Sequence, residues 1–249
     1  MLAIFKREFK SYFATPIGFI ILAAYYFFLG YYFTLLFSFG SPYINELIGA
    51  MSVLVVFTIP AITMRLLSEE RRQKTDQILL TSPVKLWSIV MGKFLAALSI
   101  HAIGFVPTII YQIIVSTYVS IGIFSYIYSL IGVLLLGAAL IAIGMFISSL
   151  TESPVISIVI TLIVDIFLLS IGSLSSAIPI PDAGTGFFSK AISFIAQKFV
   201  DLLNSLDFVS VLDSFNEQVF SVADIIYFVS IIAAFLFLSV RSLEKRRWS

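Results

Sequence analysis

The sequence predicts an all-α polytopic membrane protein with six transmembrane helices, on three observations. The chain of 249 residues is 60% hydrophobic and 12% charged, with a mean hydropathy of +1.08. That is too little polar surface to clothe a water-soluble domain. Its apolar residues fall into six runs near the ~20-residue length that crosses a bilayer. Its cations gather in the segments that a six-span count places on one side.

The first 15 residues predict an interfacial helix. Leu2, Phe5, Phe9, Tyr12 and Phe13 recur at helical spacing, with Lys6, Arg7 and Lys10 among the polar positions. This is the pattern of an amphipathic helix whose cations lie near anionic headgroups. No small-residue cleavage site follows, and the next apolar run is too long for a signal peptide. Thr15-Pro16 ends the helix, because proline disfavours helix at the residue before it. Spans are expected at 17–39, 47–64, 87–117, 126–149, 154–177 and 223–240. The third is long for a bilayer, so it should tilt or bend at Gly104 and Pro107. Residues 38–42 and 118–125 are short connections on one side, and Ser148–Pro154 is a tight polar turn on the other. The whole of 1–249 reads as a single transmembrane domain.

Orientation follows from charge. Lys6, Arg7 and Lys10, then Arg65, Arg71, Arg72, Lys74, Lys85 and Lys93, then Arg241, Lys245, Arg246 and Arg247 share one side. Only Lys190 and Lys198 fall on the other, with Glu46, Asp182, Asp201, Asp207, Asp213, Glu217 and Asp224. The positive-inside rule then puts both termini and residues 65–86 in the cytoplasm. The absence of cysteine excludes disulfides and thiol chemistry, and the single histidine, His101, leaves little for a metal site.

The most polar stretch separates the second and third spans. Glu69, Glu70, Arg71, Arg72, Lys74 and Asp76 stand almost side by side. Glu70 to Lys74 and Arg72 to Asp76 are i,i+4 pairs, so a helix over 65–80 is expected, each pair adding roughly 0.2–0.5 kcal/mol. Leu66, Leu67, Ile78, Leu79 and Leu80 make its ends apolar. Such a segment suits a cleft in a soluble partner; a solvated loop that only enforces topology is the plainer alternative.

The run Glu69-Glu70-Arg71-Arg72-x-x-Thr75-Asp76-x-x-Leu79-x-x-x-Pro83 resembles the coupling-helix signature of the ABC type-2 exporter permease family. Lys74 stands where that family usually has glycine, which should make the helix more continuous, and Asp76 stands where glutamate is usual. Ser11-Tyr12-Phe13-x-x-Pro16-Ile17-Gly18 is similar to the family's interfacial elbow helix, and Ser148-Ser149-Leu150-Thr151-Glu152 is also typical. Asp213-Ser214-Phe215 through Asp224-Ile225-Ile226-Tyr227-Phe228 resembles the gliding-motility and copper-enzyme-maturation branch. The likeness spans nearly the whole chain.

The resemblance implies a permease subunit that pairs with a second, identical or different, and seats one of a dimer of cytoplasmic ATPases under residues 65–86. It implies the inner membrane as location, membrane lipids and an accessory extracytoplasmic protein as further partners, and no nucleic acid. Glu69, Glu70, Arg71, Arg72, Thr75, Asp76 and Pro83 would serve the ATPase contact, with Leu79 and Leu80 anchoring the segment to the interface. ATP and magnesium would be bound by the ATPase. Gly92-Lys93 lacks the upstream glycine of a phosphate loop, so neither cofactor is expected on this chain.

Two polar residues lie deep in spans. Asp165 is about 16 Å into the fifth, at 1.5 Å per residue. An aspartate there costs on the order of 2.5–3.5 kcal/mol on insertion scales and usually faces a bundle interior or an aqueous path. It and His101, which could pair with it, are candidates for a translocation path or interface; a structural hydrogen bond is the alternative for each. Glu152 is either a second partner contact or a carboxylate favoured at a helix N-terminus. The outer segment 178–222 should hold an amphipathic helix over 187–206 and a short one over 209–219, acting as a cap or an exit gate. An autonomous channel or carrier, or a membrane-embedded hydrolase recalling the Glu-Glu pair of prenyl-protein proteases, remains the alternative class. The proteases need several histidines, and no Gly-x-Ser-x-Gly or His-Glu-x-x-His is present.

Overall fold

Among the described residues, length and composition make six helical segments able to cross a membrane, and several begin where the sequence supplies a proline. The computed structural model describes residues 1–40, 44–74, 84–118, 123–177, 207–216 and 221–247, with Ser193, Phe194, Gln197, Lys198, Val200, Asp201 and Asn204. In chain order the helices are α1 (Leu2–Ala14), α2 (Pro16–Ser38), α3 (Ile44–Thr63), α4 (Ser68–Arg72) and α5 (Leu86–Gly104). They continue with α6 (Pro107–Ser116), α7 (Ile123–Leu150), α8 (Pro154–Ala177), α9 (Phe208–Asn216) and α10 (Val222–Arg247). No strand occurs among the described residues.

Prolines set three boundaries. Pro16 and Pro154 open α2 and α8, where a missing N–H costs nothing. Pro107 opens α6 and divides the third span, as its length requires. The Phe105 and Val106 amides bond back to Ala102 and Ile103 at 3.1 Å, a tight last turn before the break. The helix expected over 187–206 lies largely outside the described residues. The one expected over 209–219 is found as α9, with Asp207 accepting from the Val209 and Ser210 amides at its start.

α7 is the axis of the bundle. It is the most enclosed span and packs against α3, α5, α8, α9 and α10. α2, α8 and α10 are the least enclosed. Their outward faces carry Phe19, Phe27, Tyr31, Val159, Ile163, Phe167, Ile226 and Phe237 exposed. In water that would be untenable; in hydrocarbon it is the expected surface. α9 turns Phe208, Leu212 and Phe215 inward and packs against α3, α7 and α8.

One hydrogen-bonded chain ties four spans together. The Thr58 hydroxyl of α3 donates to the Tyr25 oxygen of α2 at 2.9 Å, and Tyr25 donates to His101 Nδ1 of α5 at 2.9 Å. That leaves His101 Nε2–H for the Val133 carbonyl of α7 at 3.3 Å. The ring reaches α7 because Gly137 has no Cβ there; one would overlap the imidazole. Interhelical hydrogen bonds in membranes contribute roughly 0.6–1.7 kcal/mol. Tyr25→Phe is therefore expected to cost about 1 kcal/mol, and Gly137→Val distinctly more because it drives His101 out of place. Thermal unfolding in detergent checks the order of the two.

Candidate functional site

Where the second span leaves the bundle, the chain becomes polar without becoming free. Residues 64–74 lie against α1, α5, α7 and the start of α8, on the face that also carries both ends of the chain. Of the helix expected over 65–80, residues 65–74 are described, and within them the α-helix is α4, Ser68–Arg72; the rest lies outside the described residues. Of the predicted partner contacts, Glu69, Glu70, Arg71 and Arg72 are on it. Thr75, Asp76, Leu79, Leu80 and Pro83 lie outside the described residues.

α4 ends at Arg72, and Lys74 follows in the left-handed region. Among the described residues it is the one non-glycine with positive φ, at 55°. That is the left-handed conformation glycine takes freely and other residues adopt at roughly 1–2 kcal/mol. The expectation that lysine would prolong the helix is thus overturned: Lys74 takes the backbone a glycine would favour. The expected Glu70–Lys74 pair gives way too, because Glu70 turns the other way.

Glu70 enters a closed ring of four charges. Arg7 Nη2 lies 2.6 Å from Glu8 Oε1 and 2.8 Å from Glu70 Oε1. Lys93 Nζ lies 3.2 Å from Glu8 Oε1 and 3.0 Å from Glu70 Oε1. Each edge joins opposite charges, so neither the two carboxylates nor the two cations face each other unshielded. The Lys93 side chain is only 1% exposed, whereas that of Arg7 is 55% exposed. A buried ammonium is tolerable when paired in this way. Burial pulls the Arg7 pKa down, but Glu8 and Glu70 outweigh it and raise the pKa above its ordinary value.

Glu69 is held by Arg65 in a bidentate pair at 2.5 and 3.0 Å, and Arg65 Nη1 also reaches Thr15 Oγ1 at 3.2 Å. Beneath it the Tyr12 hydroxyl donates to the Ile62 carbonyl at 2.7 Å. Burial pushes that phenol well above its ordinary pKa, so it remains a donor. α1 therefore turns an Ile4–Glu8–Tyr12 stripe inward, with Tyr12 buried, while along its side Phe5 stacks on Phe9 at 5.8 Å and Phe9 meets Phe13 tilted at 5.2 Å.

The corner between α7 and α8 receives the other side of α4. Ser148 Oγ accepts from both the Leu67 and Ser68 amides at 3.1 Å and sits 3.3 Å from the Met64 carbonyl. It caps α4 from a different helix, since Leu67 at the N-cap has no side-chain acceptor. Arg71 donates to the Leu150 carbonyl at 2.9 Å and pairs with Glu152 at 2.5 Å. Arg246 donates to the Ser149 carbonyl. Two arginines thus meet the carbonyl end of α7, where the helix dipole favours positive charge.

The candidates within the spans are apart from this cluster. His101 is held by Tyr25 and Val133, so the suggested pairing with Asp165 is not formed. Asp165 is fully buried on α8, and among the described residues neither carboxylate oxygen has a hydrogen-bond partner. Thr161 and Ser157, one and two turns before it, are also buried with unpartnered hydroxyls. Sequence reasoning missed Glu8, Arg65, Lys93 and Ser148 as ties. Lys93 carried a signal, since a cation following an apolar run needs a partner. Glu8 carried one too, four residues from both Ile4 and Tyr12 on the same face.

A sequence model described as ABC-2 family transporter protein matches residues 4–248. No curated protein matches the chain significantly.

Ser148→Ala leaves two amides without their acceptor and is expected to cost about 1–2 kcal/mol. Its signature is faster proteolysis around residues 64–74 before global unfolding. Lys74→Gly removes the left-handed strain and is expected to leave stability unchanged or raise it by up to about 1 kcal/mol. A thermal unfolding series of the two variants reads both signs.

Proposed function

The chain belongs to the ABC-2 transporter family, and from that premise we propose that it is the transmembrane permease subunit of an ATP-driven exporter. It pairs with a second permease subunit, the same or different. Each subunit seats a cytoplasmic ATPase beneath residues 65–86, and ATP and magnesium are bound there. The chain lies in the inner membrane with both termini and residues 65–86 on the cytoplasmic side, as the clustering of cations supports.

The observation that carries the coupling reading is the way residues 64–74 are tied down. A solvated topological loop would have few ties to the bundle. This segment instead binds α1 and α5 through Glu70, the α1–α2 corner through Arg65, and the α7–α8 corner through Arg71 and Ser148. A segment held on several sides passes a push to the spans, whereas a slack one absorbs it. The division of labour differs from that of a direct docking surface. Glu69, Glu70 and Arg71 hold the segment to its own bundle, and Arg72, Gln73 and Lys74 are exposed. The exposed residues are the ones proposed to meet the ATPase.

Two measurements test this. The chain has no cysteine, so Gln73→Cys offers a unique thiol. It is expected to react with a membrane-impermeant maleimide in inverted vesicles and to be protected in intact cells; the opposite pattern would sink the orientation. An ATP-binding subunit is expected to co-purify with the wild-type chain and to be lost, at least tenfold, from Arg72→Glu/Lys74→Glu. Undiminished recovery from that variant would remove the exposed residues from the contact.

A further inference from the structure

The ring of four charges contains one member that a partner-docking role does not need. Lys93 lies on α5, almost wholly buried, and its ammonium bonds only within the chain, to Glu8 of α1 and Glu70 of α4. Arg7 makes the same two pairs, but from a half-exposed position where solvent and salt screen it. Lys93 is therefore the stronger of the two links between the carboxylates. The approach of α1 that brings Glu8 to it depends on Gly92, where a Cβ would lie 3.1 Å from Ile4 and 3.2 Å from the Met1 carbonyl. Glycine next to a buried lysine lets the backbone of α1 come close enough for the shared ion pair.

We propose that Lys93 is a positioning residue for coupling: its buried ammonium fastens the interfacial helix α1 to residues 64–74, so that the two move as one body. The proposal rests on the coupling role given above to that segment. Without the link, α1 is joined to the bundle by its apolar packing, by the half-exposed Arg7–Glu70 pair, by the Tyr12 hydroxyl on the Ile62 carbonyl, and by Thr15, which accepts from Arg65 and whose φ of −115° and ψ of 154° break the helix before α2. Glu8 and Glu70 would then lose the buried cation between them, and their like charges would favour separation. Displacement of the segment would leave α1 behind at the membrane surface. With the link, α1 is carried along and its aromatic side moves through the headgroup layer.

The experiment needs no ATPase. Nitroxide labels at Lys10→Cys on α1 and Arg72→Cys on α4, both exposed, report their separation by pulsed electron resonance in lipid nanodiscs. A second pair, Lys85→Cys with Arg72→Cys, reports α5 against α4. The expected result is one narrow distance for each pair in the otherwise unaltered chain. Lys93→Met should abolish the narrow distance in both pairs, and Lys93→Arg, which keeps the charge, should restore both. Glu8→Gln frees α1 alone: the first pair broadens and the second stays narrow, which decides the matter even if Lys93→Met fails to fold. A narrow first pair in Glu8→Gln or in folded Lys93→Met would overturn the proposal, as would failure of Lys93→Arg to restore it. That result would leave the permease reading standing, whereas failure to recover an ATPase would leave these distances as they are.

Discussion

A charge that leaves water must find an opposite charge, and at the basic face of this bundle that requirement organises everything around it. Lys93 sits where α5 has already entered the protein, and no solvent reaches its ammonium. Two carboxylates must come to it, one from α1 and one from α4. Bringing two carboxylates together creates a repulsion that Arg7 then relieves. Each element of the ring is there because of the previous one, and the result fixes three helices that the chain joins only distantly. A pair of this kind is weak evidence of net stability, because desolvation offsets much of the attraction. Its stronger effect is on geometry: any arrangement that separates the partners leaves a buried charge alone.

The same logic, with dipoles in place of charges, acts at the other side of α4. The short helix has no side chain of its own to satisfy its first amides, and α7 ends in carbonyls that have no further turn to bond to. The Ser148 hydroxyl answers the first need, and Arg71 and Arg246 the second. α7 is also the span most enclosed by the others. A displacement applied to α4 therefore meets the axis of the bundle directly at its polar end and the α1–α5 pair through the ring. The apolar outward faces of α2, α8 and α10 offer nothing comparable to hold onto, which suits surfaces that slide in lipid.

The spans were legible because their signals are local and redundant. Twenty apolar residues have few other uses, Pro16, Pro107 and Pro154 cannot sit inside undisturbed helices, and the six-span parity follows from where the cations fall. The short helix expected over 209–219 was legible in the same way, although its cap at Asp207 was not named. Partner choice inside the bundle was not legible. Placing Asp165 and His101 at similar depth made a pair plausible, but depth gives no azimuth. Tyr25, two spans away in sequence order, reaches the imidazole first, and the face of α8 that carries Asp165 turns toward α3 and α7.

The polar segment shows most clearly why local rules fail at such a site. Spacing pairs Glu70 with Lys74, worth a few tenths of a kcal/mol on an exposed helix. A buried ammonium on another helix offers far more, because there is no water to compete for the carboxylate. Glu70 is instead paired with Lys93 and Arg7, and Lys74 takes no part in the ring. The chain turns there despite the cost of a left-handed lysine. The resemblance had placed a glycine at this position, and the backbone honours the glycine while the side chain does not. Residues 69–74 therefore form the end of a short helix followed by a turn. Substitution at 74 changes the cost of that turn without changing where the ring and the α7 cap require it to be.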